Sequence, residues 1–196
     1  MIDAIIQWDM DVLLYFQDHI RTAWLDPIMK ACGLLGRGGV IWILLCIILM
    51  IPKKTRRIGI CAGAALALSF IVNNLIIKNV VGRIRPYEVV EGLTRIVDAE
   101  SDASFPSGHA ACVFSVATGV LLSSKNKIPG ILLILFGFLM GFSRIYVGVH
   151  YPTDVIVAIF VSTASAVLAY LIVCAIEKKL HKRREEREDA DAMMIL

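Results

Sequence analysis

The sequence predicts an all-α, polytopic membrane helix bundle of about five transmembrane helices preceded by an N-terminal interfacial helix. Three observations carry this. Hydrophobic residues make up 58% of the chain, above the roughly 45–50% of ordinary soluble domains, and the mean hydropathy is +0.74. Uncharged stretches recur at 38–52, 58–77, 110–124, 128–143 and 155–176. The charges are segregated into the short connections between them, so the net charge of +3 is a poor guide to partners, and no nucleic-acid partner is expected.

A span needs roughly 17–25 residues. The second and fifth stretches meet that length outright, and the others do so by extending past a flanking charge or by sitting in a thinned bilayer. The first extends back toward Pro27, taking in Lys30, Gly33 and Arg37. Residues 2–24 differ: Ile2, Ile6, Met10, Leu13, Ile20 and Trp24 share one helical face, interrupted by Asp9, Asp11 and Asp18. That pattern suits a helix lying in the membrane interface or one packed on the bundle as cover. The acidic, Lys/Arg-poor opening does not read as a cleavable signal peptide. The five cysteines have no metal-ligand or disulfide spacing.

Orientation follows from lysine and arginine. Residues 53–57 (KKTRR), 123–127 (SSKNK) and the basic tail 177–196, which opens with KKLHKRR from Lys178, all fall on one side of a five-span chain. That side is expected to be cytoplasmic. The N-terminus, residues 78–109 and residues 144–154 then share the opposite, extracytoplasmic face.

Three segments on that face carry reactive side chains: KNVVGRIRP (78–86), PSGH (106–109) and SRIYVGVHYPTD (143–154). In PSGH, Ser107 stands at a helix start as N-cap, where unpaired N–H groups and the helix dipole favour an anion. Gly108 leaves the backbone open to it, and His109 is in reach. Lys78 and Arg85, with Arg83 as an extra cation, suit phosphate oxygens. A set of headgroup anchors is the plainer reading of these three alone. His150 precedes Asp154 by four residues, and Pro152 is a favoured first helical residue. A carboxylate there can fix the imidazole tautomer and leave the other nitrogen as nucleophile. Arg144 adds a cation. Glu88, Glu91, Asp98, Glu100 and Asp102 between the segments read as a solvated acidic loop and not as a metal site.

In order and on one face, the three segments make the chain resemble the type 2 phosphatidic acid phosphatase superfamily, whose signature is K-x6-RP, PSGH and SR-x5-H-x3-D. Lys78, Arg85, Pro86, Pro106, Ser107, Gly108, His109, Ser143, Arg144, His150 and Asp154 fill every position. The match covers 78–154, and residues 1–196 are expected to form one membrane-embedded phosphatase domain. The resemblance implies a metal-independent phosphatase with no cofactor. His150 would be the nucleophile, Asp154 its support and His109 the proton donor to the leaving oxygen. Lys78, Arg85, Ser107, Gly108 and Arg144 would bind phosphate, and Arg83 is a further candidate contact that favours a diphosphate. The substrate implied is a lipid phosphate held by the bilayer of the plasma membrane. Undecaprenyl pyrophosphate comes first, with phosphatidylglycerol phosphate, phosphatidate and diacylglycerol pyrophosphate alongside. A lipid-linked phosphotransferase and a small non-enzymatic transporter are the rival classes.

Overall fold

The computed structural model describes residues 2–194, and these are helical without a strand among them. Helix α1 (Ile2–Tyr15) ends in a π-helical turn, Phe16–Ile20. Helices α2 (Asp26–Gly36) and α3 (Val40–Met50) form the first crossing. They are joined across Gly38 and Gly39, whose φ of 62° and 68° require the left-handed region open to glycine. Helix α4 (Arg56–Phe70) runs through a π-helical segment, Ile71–Ile77, into the single turn α5 (Lys78–Val81). After the turn α6 (Pro86–Val89) and a loop come α7 (Gly108–Ser123), α8 (Ile128–Tyr146) and α9 (Pro152–Met194).

Four of these crossings are long and apolar enough to span a bilayer: Asp26–Met50, Arg56–Val89, Ile128–Tyr146 and Pro152–Asp189. Helix α7, at 16 residues, rises only about 24 Å, but it is the hub of the bundle, packed against α4, α8 and α9. Ala110, Ala111, Val113, Phe114, Val116, Ala117 and Val120 are all buried, so α7 is largely apolar on every side, as suits a central helix. Small residues bring its neighbours close: a Cβ on Gly119 would stand 2.8 Å from Ala62 Cα. The outward faces of α3, α8 and α9 are apolar as well, through Ile43, Leu44, Ile48, Leu132, Phe138, Phe160 and Leu171. In water such a belt would be a liability; in lipid it is the required surface.

Two basic segments meet at one end. Arg57 binds Glu177 at 3.0 Å and Cys174 at 3.2 Å, joining the 53–57 loop to the start of the tail. That tail continues α9 as helix, supported by His181–Glu185 and Lys182–Glu186 pairs at i,i+4.

At the other end, α1 lies on the bundle. Leu13 packs with Val90, Leu93 and Tyr151, while Ile5, Ile6 and Trp8 stay exposed. The helix is thus cover on one face and an apolar surface on the other. It stops at Ile20, short of Trp24, because Arg21 turns inward to donate to the Tyr146 carbonyl at 2.8 Å and the Thr94 carbonyl at 2.7 Å.

Candidate active site

The three segments converge at that second end. The winding of α4 through Ile71–Ile77 delivers Lys78, and π-helical turns of this kind recur at functional sites. Lys78 is 7% exposed, and its Nζ donates to Asp102 Oδ2 at 2.5 Å. Arg85 sits between segments: Nε donates to the Asp102 carbonyl (2.9 Å), Nη1 to the Val149 carbonyl (2.9 Å), and Nη2 to Glu100 Oε2 (2.8 Å) and Asp102 Oδ1 (2.7 Å).

Helix α9 begins at Pro152 as expected and holds Asp154 in its first turn, fully buried. Asp154 Oδ2 accepts from Ser104 Oγ (2.5 Å) and Tyr151 N–H (3.0 Å) and lies 3.4 Å from His150 Nδ1. On the other side of the ring, Arg85 Nη1 is 3.3 Å from Nε2. A guanidinium can only donate and a carboxylate can only accept. The imidazole is therefore held with its proton on Nδ1 and its Nε2 lone pair accepting from Arg85, the tautomer a nucleophile requires once Arg85 turns to the phosphate. His150 is completely buried, and that burial, with Arg85 adding to it against the pull of Asp154, pushes its pKa below the ordinary histidine value.

Ser107 takes the N-cap position of α7, and its N–H donates to the Asp154 carbonyl at 3.1 Å. Its hydroxyl makes no capping bond, however, and this buried Oγ has no partner among the described residues. The same holds for Arg144 Nη2. Arg144 is 3% exposed, with Nε on Ser143 Oγ at 3.2 Å and Nη1 3.9 Å from Glu100 Oε1. Arg144 shares Glu100 with Arg85 and lines one cavity with Lys78 and Gly108, so these open buried donors describe an anion site. Gly108 completes it: a Cβ there would stand 3.2 Å from Asn74 Nδ2 and 4.0 Å from Lys78 Nζ.

Three sequence expectations need correction. Arg83 does not face the cations. Its guanidinium is taken up by Asp9 (2.7 Å), Thr153 Oγ1 (2.8 Å) and Asp154 Oδ1 (2.8 Å) and lies 3.6 Å above the Tyr151 ring. Glu100 and Asp102 are not merely solvated loop residues: they pair with Lys78, Arg85 and Arg144, because a cluster of buried cations needs counter-charge. Burial would raise the Glu100 carboxyl, but His150, Arg85, His109 and Arg144 around it hold it below its ordinary value. For Asp102, burial is likewise overridden by Lys78 and Arg85, which bring it down to about 2. Third, Ser107 caps by position but not by side chain.

Glu100, His109 and His150 place one ligand atom each within 4.8 Å of one another. Such a trio could close on a metal ion, yet the Arg85 and Arg144 guanidiniums beside it oppose a cation. Sequence reasoning missed Asp9, Ser104 and Thr153, all bonded to Asp154 or Arg83, and Gly33, whose missing side chain makes room for Arg144. The one visible signal was Asp9, a charge interrupting an apolar helical face.

From this end a cavity of about 1070 Å³ runs down between α2–α3 and α4. Lys78, Glu100, Asp102, Gly108, His109 and Arg144 line its polar mouth, and Ile43, Ile47, Met50, Leu66, Ala67 and Phe70 its apolar depth.

A bundle of membrane helices gripping an anion site at one end defines a class, and the comparisons with known proteins give it a family. The chain belongs to the PAP2 superfamily, whose sequence pattern matches residues 58–177. It is 37% identical over 139 residues to an undecaprenyl-diphosphatase of Sulfolobus acidocaldarius, a match covering 71% of this chain and 66% of that relative, just under two thirds of its length. Among solved structures, it resembles Aquifex aeolicus LpxE with a TM-score of 0.70 and 28% identity over 81% of this chain and 92% of that one. It also resembles a transmembrane PAP2-type phosphatidylglycerolphosphate phosphatase from Bacillus subtilis, with a TM-score of 0.69 and 25% identity over 90% and 87%.

Proposed function

We propose that the protein is an integral membrane lipid phosphatase that hydrolyses a lipid phosphate or diphosphate through a phosphohistidine at His150. The observation that carries this is the junction of two unlike spaces. Arg144, whose Nη2 has no partner among the described residues, lines with Lys78, Gly108 and His109 the mouth of a cavity that is apolar in its depth. Phosphate suits the first and a hydrocarbon tail the second.

In this reading, Lys78, Arg85, Arg144, the Ser107 hydroxyl and the Gly108 N–H bind the phosphoryl oxygens, displacing Glu100 and Asp102. His150 Nε2 attacks phosphorus while Asp154 balances the charge that develops on the ring. The bond to the leaving oxygen breaks, and His109 supplies its proton. Water then attacks the phosphohistidine, returns a proton to His109 and frees inorganic phosphate and His150. Positioning and charge stabilisation are what phosphoryl transfer asks of a protein. No metal or cofactor enters the scheme.

For the substrate, undecaprenyl diphosphate has the support of the Sulfolobus relative's name. Phosphatidylglycerol phosphate has that of the Bacillus structure, which aligns with 90% of this chain. Arg83 no longer argues for a diphosphate, since Asp9, Thr153 and Asp154 occupy it. The basic end bearing Arg57 and the tail is assigned to the cytoplasm, so the site faces outward across the plasma membrane, and residues 1–196 act as one catalytic unit.

Phosphate release from a panel of lipid phosphates and diphosphates in detergent tests the function. Release from at least one, without an added acceptor and lost in His150→Ala, is expected. No release from any member would refute the hydrolase reading, and release only when an acceptor alcohol is supplied would favour a phosphotransferase.

A further inference from the structure

Asp9, on the α1 helix, is fully buried, although that helix is not among the candidate spans. Its Oδ1 accepts the Thr153 N–H at 2.9 Å, in the first turn of α9, where helix N–H groups otherwise lack partners. Its Oδ2 accepts from Thr153 Oγ1 at 2.5 Å and from Arg83 Nη2 at 2.7 Å. Arg83 then reaches the other way, with Nη1 on Asp154 Oδ1 at 2.8 Å. One arginine thus lies between two carboxylates, each 0% exposed.

Position follows from this arrangement. Because Arg83 takes Asp154 Oδ1, the other oxygen, Oδ2, is left to His150, Ser104 and Tyr151 N–H. Asp9 holds Arg83 from the far side and grips the helical turn on which Asp154 is mounted. Were Asp9 uncharged, Arg83 would have Asp154 as its sole counter-ion. It could then slide across both carboxylate oxygens and compete with the imidazole N–H for them.

We infer that Asp9 is a positioning residue for the His150–Asp154 pair, acting through Arg83 and Thr153, so that the N-terminal helix is a working part of the site. The inference rests on the phosphohistidine reading above. Asp9 touches none of Lys78, Arg85 or Arg144, so its loss bears on the step in which the ring gains charge and leaves phosphate binding alone.

The test is steady-state kinetics of Asp9→Asn on the best lipid phosphate of the panel, in wild-type and Asp154→Asn backgrounds. Removing one charge-assisted link predicts a fall in kcat of about 10- to 100-fold with KM within about twofold. In the Asp154→Asn background the same change should add less than about twofold, because the relay is already broken at its far end. Thr153→Val, which removes one hydroxyl of the network and keeps the volume, should lower kcat alone by a smaller factor, and it carries the test if Asp9→Asn does not fold. A kcat unchanged in Asp9→Asn, or an equal fall in both backgrounds, overturns the inference and makes α1 a passive anchor. An inert wild type would instead overturn the hydrolase reading itself.

Discussion

Gly33→Ala should disable the site while leaving the fold intact. Gly33 is buried on α2, and a Cβ built on it would lie 1.7 Å from Arg144 Nη2, 2.5 Å from Cζ and 2.7 Å from Nη1. Ordinary contact begins near 3.4 Å, so the guanidinium must retreat by about 1.7 Å. Arg144 can do this by changing rotamer, since the clash is with the end of a long side chain, and alanine in a helix interior gains about 0.5–1 kcal/mol over glycine. Stability should therefore change little. Catalysis should not be spared, because the displaced group is the one with a free donor in the anion site. Losing a charge-assisted contact costs about 1.5–3 kcal/mol, or roughly 10- to 150-fold in kcat/KM. The assay is phosphate release measured beside thermal unfolding of the same detergent-solubilised preparation. A Gly33→Ala protein within about threefold of wild-type kcat/KM would refute the assignment of Arg144 to the phosphate.

Glu100→Gln removes the carboxylate that pairs with Arg85 at 2.8 Å and competes with substrate for it; KM and the inhibition constant for vanadate should fall by up to about fivefold, and a higher KM at unchanged kcat would contradict this. The neutral His150 ring is the attacking form and its pKa is lowered, chiefly by burial. The acid limb of kcat/KM should then lie below about 6.5, the ordinary histidine value; a limb at or above pH 7 would contradict the burial argument. Chelators should leave turnover unchanged in purified protein, and loss in EDTA that zinc restores would assign Glu100, His109 and His150 to a metal.

The spans and the convergence of the signature were legible because both rest on local patterns. Hydropathy marks a helix over its own length, and a motif such as His150-x3-Asp154 keeps its partners within a few residues of each other, here on either side of the helix start at Pro152. The rest depends on what the chain brings together from a distance. Glu100 looks like a loop acid until the fold sets it 2.8 Å from Arg85. Arg83 looks like a phosphate ligand until Asp9, 74 positions earlier in the chain, claims it. Gly33 carries no signal, since what it contributes is space for a side chain on α8. Ser107 takes the N-cap position without making the side-chain cap the sequence suggests, and nothing in the sequence says its hydroxyl is left without a partner among the described residues.

Rapid-quench trapping with a phosphorus-labelled lipid phosphate tests the central claim most directly. Labelled protein should appear within the first turnover, with the label acid-labile, alkali-stable and mapped to the peptide containing His150, and His150→Ala should show neither label nor phosphate release. Full turnover with no labelled protein at any time, or label on another residue, would contradict the account.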